Sequence, residues 1–83
     1  MTITAGIDIG TGAVKTVLFR VEGDKTEWLA KRNDRIRQRD PFKLAEEAYH
    51  ALLEEVGLKA SDVDYVATTG EGENVKFATG HFY

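Results

Sequence analysis

The sequence predicts an α/β fold, a mixed sheet of four strands in the order 3-2-1-4 with one crossover helix on one face. Residues 3–32 contain three apolar or alternating runs separated by turn-forming residues, which is typical of an antiparallel meander. After Pro41 the apolar spacing changes to three and four residues, which indicates a helix, and one more apolar strand follows it.

The three strands of the meander differ in their patterns. Residues 3–9 alternate apolar residues with small or polar ones, so the first strand should have one buried face. Residues 13–21 are mostly β-branched or apolar, which suits a central strand buried on both faces. A turn then leads to a third strand over 26–32, with Trp28 and Leu29 on opposite faces.

The helix is predicted over residues 41–56. Asp40 is a favourable N-cap, and Gly57 is a typical C-terminal stop. His50 lies off the apolar stripe and is interpreted as a surface residue. The stripe itself consists of Phe42, Ala45, Tyr49, Leu52, Leu53 and Val56. A fourth strand over 64–69 should run parallel to the first, because a helix connects the two.

The turn between the first two strands is a candidate phosphate site. Gly10 and Gly12 let backbone N–H groups approach an anion, since no Cβ stands in the way. Asp8 could hold a metal ion or its water, and Lys15 could neutralise phosphate charge. Two alternatives remain open at this turn: Lys15 as an edge lysine that blocks aggregation, and Thr11 as a turn stabiliser rather than a phosphate donor.

A second loop, residues 69–73, should converge on the same edge of the sheet. Ligands favour the carboxyl ends of parallel strands, and strands one and four both end there. Glu71 and Glu73 could position an attacking water as a general base or contact a partner subunit. The alternative is a solvated acidic loop.

Composition excludes several classes of protein. The chain has 83 residues, enough for one small domain, and its formal net charge of -3 argues against bulk binding to nucleic acid or to anionic membranes. It contains no cysteine, which excludes disulfides and thiolate metal sites. Without a signal peptide or a long apolar run, we expect a cytoplasmic protein that does not span a membrane. The basic run at 31–39 is interpreted as a solvated connector rather than a phosphate or RNA contact.

The chain ends within an apolar and aromatic stretch, Gly80-His81-Phe82-Tyr83. We therefore expect it to be one piece of a longer protein. Phe77, Phe82 and Tyr83 are interpreted, with Trp28, as core or interface residues. His81 alone is a poor metal-ligand candidate.

The pattern Asp8-x-Gly10-Thr11-Gly12-x-x-Lys15 between two strands resembles the first phosphate-binding segment of the actin, Hsp70 and sugar-kinase ATPases, whose fold is ribonuclease H-like. The order of three antiparallel strands, helix and parallel strand resembles the start of that fold. The resemblance implies that the turn backbone from Gly10 to Ala13 binds the β- and γ-phosphates of ATP. It also implies that Asp8 coordinates Mg²⁺ through water and that Lys15 touches phosphate.

The second loop indicates a particular family within these ATPases. Residues 65–73, followed by 77–83, resemble the ATPase subunits of benzoyl-CoA reductases, which are close relatives of the 2-hydroxyacyl-CoA dehydratase activators. The match runs from Gly6 to the last residue. It implies that residues 1–83 are the N-terminal part of an actin-like ATPase domain, with Gly70 at the ATP site and Glu71 as a catalytic candidate. The activators carry a different residue near Glu71.

The same resemblance implies the chemistry of the full-length protein. ATP hydrolysis would drive a low-potential electron from a [4Fe–4S] cluster onto an aromatic acyl-CoA, in anaerobic aromatic degradation. The cluster cysteines would lie downstream of this chain. Partners would be the other subunits of an acyl-CoA reductase and a ferredoxin-type electron donor. Two alternatives remain: a sugar-kinase-like phosphotransferase of the same fold, and a non-enzymatic α/β interaction module.

Overall fold

A computed structural model describes residues 2–71, 75 and 77–81. Its strands are β1 (Thr2–Ile9), β2 (Ala13–Glu22), β3 (Lys25–Arg35), β4 (Tyr65–Gly70) and β5 (Gly80–His81), its helix is α1 (Pro41–Glu55), and a 3-10 turn covers Ala60–Asp62. The strand order is β3-β2-β1-β4-β5. The predicted order 3-2-1-4 is confirmed, and β5 is an additional strand beside β4. No helix within the described ranges has the length and apolar content that a membrane crossing requires.

The register of β1 and β4 determines where the two candidate loops meet. β1 is antiparallel to β2 and parallel to β4, as predicted. The backbone N–H of Ile3 donates to Asp64 Oδ2 at 2.8 Å, and the N–H of Asp64 donates to the Ile3 carbonyl at 2.8 Å. These two bonds set the start of β4 against β1. At the other end, Asp8 lies opposite Thr69 and Ile9 opposite Gly70.

Strand β3 is longer than the sequence predicted. The first half of the basic run belongs to this strand and pairs with β2 as far as Arg35, so the interpretation of the whole run as a connector is wrong. Its charges are partly balanced within the strand, because Arg32 Nε donates to Asp34 Oδ2 at 2.8 Å. Trp28 and Leu29 do lie on opposite faces: Trp28 is exposed, whereas Leu29 packs against the core.

Helix α1 has the predicted ends. Asp40 Oδ1 accepts the backbone N–H of Phe42 at 2.9 Å. Gly57 adopts a φ of 73°, and the N–H of Leu58 donates to the Leu53 carbonyl at 2.8 Å, which closes the C-terminus. The predicted stripe is buried except at its half-buried ends. Leu44 and Ala48 were not predicted but are buried too, since the sheet covers a wider face of the helix.

The helix covers only one face of the sheet. Side chains of β1 and β2 that point toward α1 form the core, whereas the opposite side of β2 is only half-buried. The expectation of a second strand buried on both faces is therefore wrong for this structure. We call the uncovered side the open face; it is lined by Val17, Phe19, Trp28, Lys31 and Ala67. It forms a shallow concavity of about 870 Å³ that continues to the end of β1.

Candidate functional site

The tip of the β1–β2 hairpin presents an open backbone. The N–H of Gly10 donates to the Ala13 carbonyl at 3.0 Å, which closes the turn. A Cβ built on Gly12 would meet no atom within 4 Å, so the space beside this backbone is empty. On the inner side, Ile36 at the end of β3 donates its N–H to the Gly12 carbonyl at 3.0 Å. The turn is thus held by backbone hydrogen bonds within itself and from Ile36, and the space beside Gly12 remains accessible to an anion.

The hydroxyl of Thr11 takes no part in holding this turn. Thr11 is exposed, and within the described ranges its side chain makes no hydrogen bond to protein. The backbone bond between Gly10 and Ala13 already closes the turn. The structure therefore offers no support for the interpretation of Thr11 as a turn stabiliser.

An aspartate and a lysine occupy directly opposite positions of β1 and β2 just below the turn. Asp8 and Lys15 are direct partners in the antiparallel pairing of β1 and β2, and both are exposed. Side chains in this relation have Cβ atoms about 5 Å apart and share one face of the sheet. β2 lies between β3 and β1, so Lys15 is not on an edge strand, and its interpretation as an edge lysine is wrong.

Thr69 lies at the start of the predicted second loop, but the sequence analysis did not identify it as a site residue. It is the partner of Asp8 in the parallel pairing of β1 and β4, and its Oγ1 donates to Asp8 Oδ1 at 3.0 Å. The neighbouring Thr68 is fully buried on the helix side. Once strand four is aligned with strand one, the two-residue alternation could have identified Thr69 as the threonine on the same face as Asp8.

Gly70 and Glu71 complete this edge of the sheet. Gly70 has a φ of 66°, and a Cβ there would lie 2.4 Å from the Ile9 carbonyl oxygen and 2.9 Å from Asp8 Oδ1. The N–H of Glu71 donates to the same Ile9 carbonyl at 2.9 Å, and its side chain is exposed. The predicted convergence of the two loops is therefore confirmed as far as residue 71. Glu73 lies outside the described residues, as do Phe82 and Tyr83.

Asp8 is the one carboxylate that this site offers as a metal ligand among the residues described up to Gly70. Over residues 2–71, 75 and 77–81, no group of three or more His, Cys, Asp or Glu side chains could hold a metal ion. Mg²⁺ normally keeps several waters and binds one or two carboxylates together with substrate phosphates. A single exposed Asp8 beside a phosphate-accessible turn fits that donor set. A [4Fe–4S] cluster does not fit this chain, because it contains no cysteine.

Comparison with known proteins identifies related sequences. The BadF/BadG/BcrA/BcrD ATPase family matches residues 5–83. The chain is also 92% identical over all 83 residues to one of the subunits of benzoyl-CoA reductase from Thauera aromatica, and it spans 29% of that protein's length.

Solved structures establish the fold. YeaZ from Pseudomonas aeruginosa superposes with a TM-score of 0.62 at 22% identity, over 94% of this chain and 35% of that one. The PPX-GPPA enzyme of Aquifex aeolicus superposes with a TM-score of 0.57 at 14% identity, over 98% of this chain and 36% of that one. At these identities the likeness concerns the fold alone, which is that of the actin-like ATPases.

Proposed function

The chain belongs to the BadF/BadG/BcrA/BcrD ATPase family, and on this basis we propose that it forms the first phosphate-binding wall of an ATP site. The observation that carries the proposal is the pairing of Asp8 with Lys15 directly below an open backbone turn. Because the chain spans 29% of its relative, the activity is proposed for a longer subunit, of which residues 1–83 form the N-terminal part.

Each side chain has a proposed role in ATP hydrolysis. The backbone N–H groups from Thr11 to Ala13, together with the Thr11 hydroxyl, bind the β- and γ-phosphates, whereas the Gly10 N–H donates to the Ala13 carbonyl and closes the turn. Lys15 offsets their negative charge, and Asp8 is the residue that would hold Mg²⁺ by way of water. When bound, Mg²⁺ neutralises charge that develops on the phosphate oxygens.

The loop after β4 is proposed to serve the attacking water. Glu71 acts as the general base that orients this water. This role is supported by the position of Glu71: its backbone N–H donates to the carbonyl of Ile9, at the end of the strand that carries Asp8. Gly70 leaves the space that Asp8 occupies, since any larger residue would meet the carboxylate.

The full-length subunit is proposed to couple this hydrolysis to electron transfer in a benzoyl-CoA reductase. Its support is the 92% identity to a protein named as a subunit of that enzyme. A low-potential electron from a ferredoxin-type donor would pass by way of a [4Fe–4S] cluster to an aromatic acyl-CoA. Since these 83 residues contain no cysteine, the cluster ligands would lie downstream of them. This chain would supply only part of the ATP site.

The test is Asp8→Asn in the full-length subunit. The substitution removes the metal's anionic anchor with almost no change in volume, so we expect ATP turnover to fall by about 100-fold or more. Circular dichroism and the melting temperature should remain those of the wild type. Asp24→Asn is the matched control, because Asp24 is an exposed carboxylate in the β2–β3 turn. Unchanged turnover in Asp8→Asn would contradict the proposed site.

A further inference from the structure

We propose that Thr69 is a positioning residue that orients the Asp8 carboxylate for the metal. This proposal rests on the proposed function of Asp8. Its basis is the 3.0 Å hydrogen bond from Thr69 Oγ1 to Asp8 Oδ1, which joins residues that are 61 positions apart in the chain. The register of β1 and β4 makes these two residues direct neighbours.

The position of the Thr69 hydroxyl is fixed by the sheet. β4 lies between β1 and β5: its whole length pairs with β1, and its residues just before Thr69 also pair with β5. A shift of one residue would turn the buried Thr68 toward the open face and bury Thr69 instead. Just beyond Thr69, the Glu71 N–H bond to the Ile9 carbonyl anchors the end of the strand. Thr69 is therefore presented to Asp8 by a rigid element.

The bond constrains a carboxylate that would otherwise be mobile. Asp8 is exposed at the end of β1, where an aspartate side chain can occupy several rotamers. A hydroxyl that donates to Oδ1 selects one of them, and hydrogen bonds to ionised acceptors are stronger than neutral ones. Gly70 contributes to the same arrangement by leaving Oδ1 room, since a Cβ would lie 2.9 Å from it.

Thr69 and Lys15 lie on opposite sides of Asp8. Their proposed roles also differ, in metal binding and in phosphate binding respectively. Lys15 is carried by β2 and Thr69 by β4, with β1 between them. Lys15 would act on phosphate directly through its charge. Thr69 would act through Asp8, so its loss should affect Mg²⁺ binding and leave metal-free nucleotide binding unchanged. Hydrogen-bond partners of metal-binding side chains typically contribute a factor of about 10–100 to metal affinity.

The test uses the full-length subunit with a non-hydrolysable ATP analogue, and measures Mg²⁺ affinity by titration calorimetry. Thr69→Val keeps the shape and removes the hydroxyl, so we expect the Mg²⁺ dissociation constant to rise by about 10-fold. Thr69→Ser keeps the hydroxyl and should restore wild-type affinity. Thr26→Val is the matched control, because Thr26 is an exposed threonine on β3 that pairs with Val21. It should leave Mg²⁺ affinity unchanged.

A double mutant distinguishes positioning from a general structural role. If Thr69 acts through Asp8, Thr69→Val should cause no further loss of Mg²⁺ affinity in the Asp8→Asn background. Three results would overturn the proposal: unchanged Mg²⁺ affinity in Thr69→Val, failure of Thr69→Ser to restore affinity, or additive losses in the double mutant. Wild-type affinity in Asp8→Asn would instead refute the metal role of Asp8, and with it both proposals.

Discussion

At the scale of single residues, Gly70 is the tightest constraint beside the candidate site. It combines a φ of 66° with a close approach, because its Cβ position lies 2.4 Å from the Ile9 carbonyl oxygen. We expect Gly70→Ala to reduce the free energy of unfolding by about 1–3 kcal/mol, the usual cost of such backbone strain, and more where the contact forces β4 to move. Urea denaturation measures this loss.

Gly23→Ala separates the cost of the positive φ from the cost of the close contact. Gly23 has a φ of 60°, but a Cβ there would meet nothing within 4 Å. This control therefore carries the conformational penalty alone. An equal loss of stability in both variants would show that the approach of Gly70 to Ile9 and Asp8 has no energetic consequence.

The sequence predicted those parts of the site whose residues are close together in the chain, and it missed those that strand pairing brings together. Asp8, the glycine turn and Lys15 are local in sequence, so their spacing alone predicted that they lie together. Thr69 could not be found this way, because its contact with Asp8 depends on the exact pairing of two strands separated by a helix. A shift of one residue in that register would have selected Thr68 instead.

At the scale of elements, α1 was predictable because its ends and its apolar stripe are both local signals. Strand β3 was predicted too short, since its last residues are charged and resemble a connector. Pairing with β2 nevertheless continues to Arg35, and only one face of β3 packs against the helix. Strand β5 has only two residues, which is too short for the alternation of apolar and polar residues that predicts a strand. It is held by Thr79, whose N–H donates to the Val66 carbonyl at 2.7 Å and whose Oγ1 accepts from the Val66 N–H at 2.9 Å.

The packing of α1 predicts a loss of stability at alkaline pH. Tyr49 belongs to α1, is buried, and stacks on Phe77 with ring centroids 4.9 Å apart. Burial raises the pKa of Tyr49 above its ordinary value of 10.0. The folded state then holds its phenol proton more tightly than the unfolded state does. The resulting stabilisation is fully present below about pH 10 and is lost as the pH rises through the folded-state pKa.

Tyr49→Phe tests this linkage, because it keeps the stacked ring and removes the ionisable group. We expect the free energy of unfolding of the wild type to fall more steeply than that of the variant above about pH 10, while the two differ by a constant amount near neutral pH. Urea denaturation across this pH range measures both curves. Parallel curves throughout would show that the alkaline transition arises elsewhere in the protein.

At the scale of the whole molecule, the sheet has one covered and one uncovered side. The open face carries the exposed Trp28 next to Phe19, with the Lys31 ammonium 4.9 Å from the centre of the Trp28 ring. In a longer subunit we expect further residues to cover this face. In the 83-residue chain it faces solvent, and contiguous apolar surface of this kind tends to associate.

We therefore expect the 83-residue chain to self-associate through the open face. Trp28 is the chain's single tryptophan, so its fluorescence should shift to shorter wavelength as the concentration rises. Trp28→Lys should weaken association by about 10–100-fold, because burial of a large apolar side chain contributes about 1.5–3 kcal/mol. Sedimentation equilibrium measures the constant, with His50→Lys on the exposed side of α1 as the control. A wild-type chain that remains monomeric at every concentration, or a Trp28→Lys chain that associates equally well, would show that the open face is not adhesive.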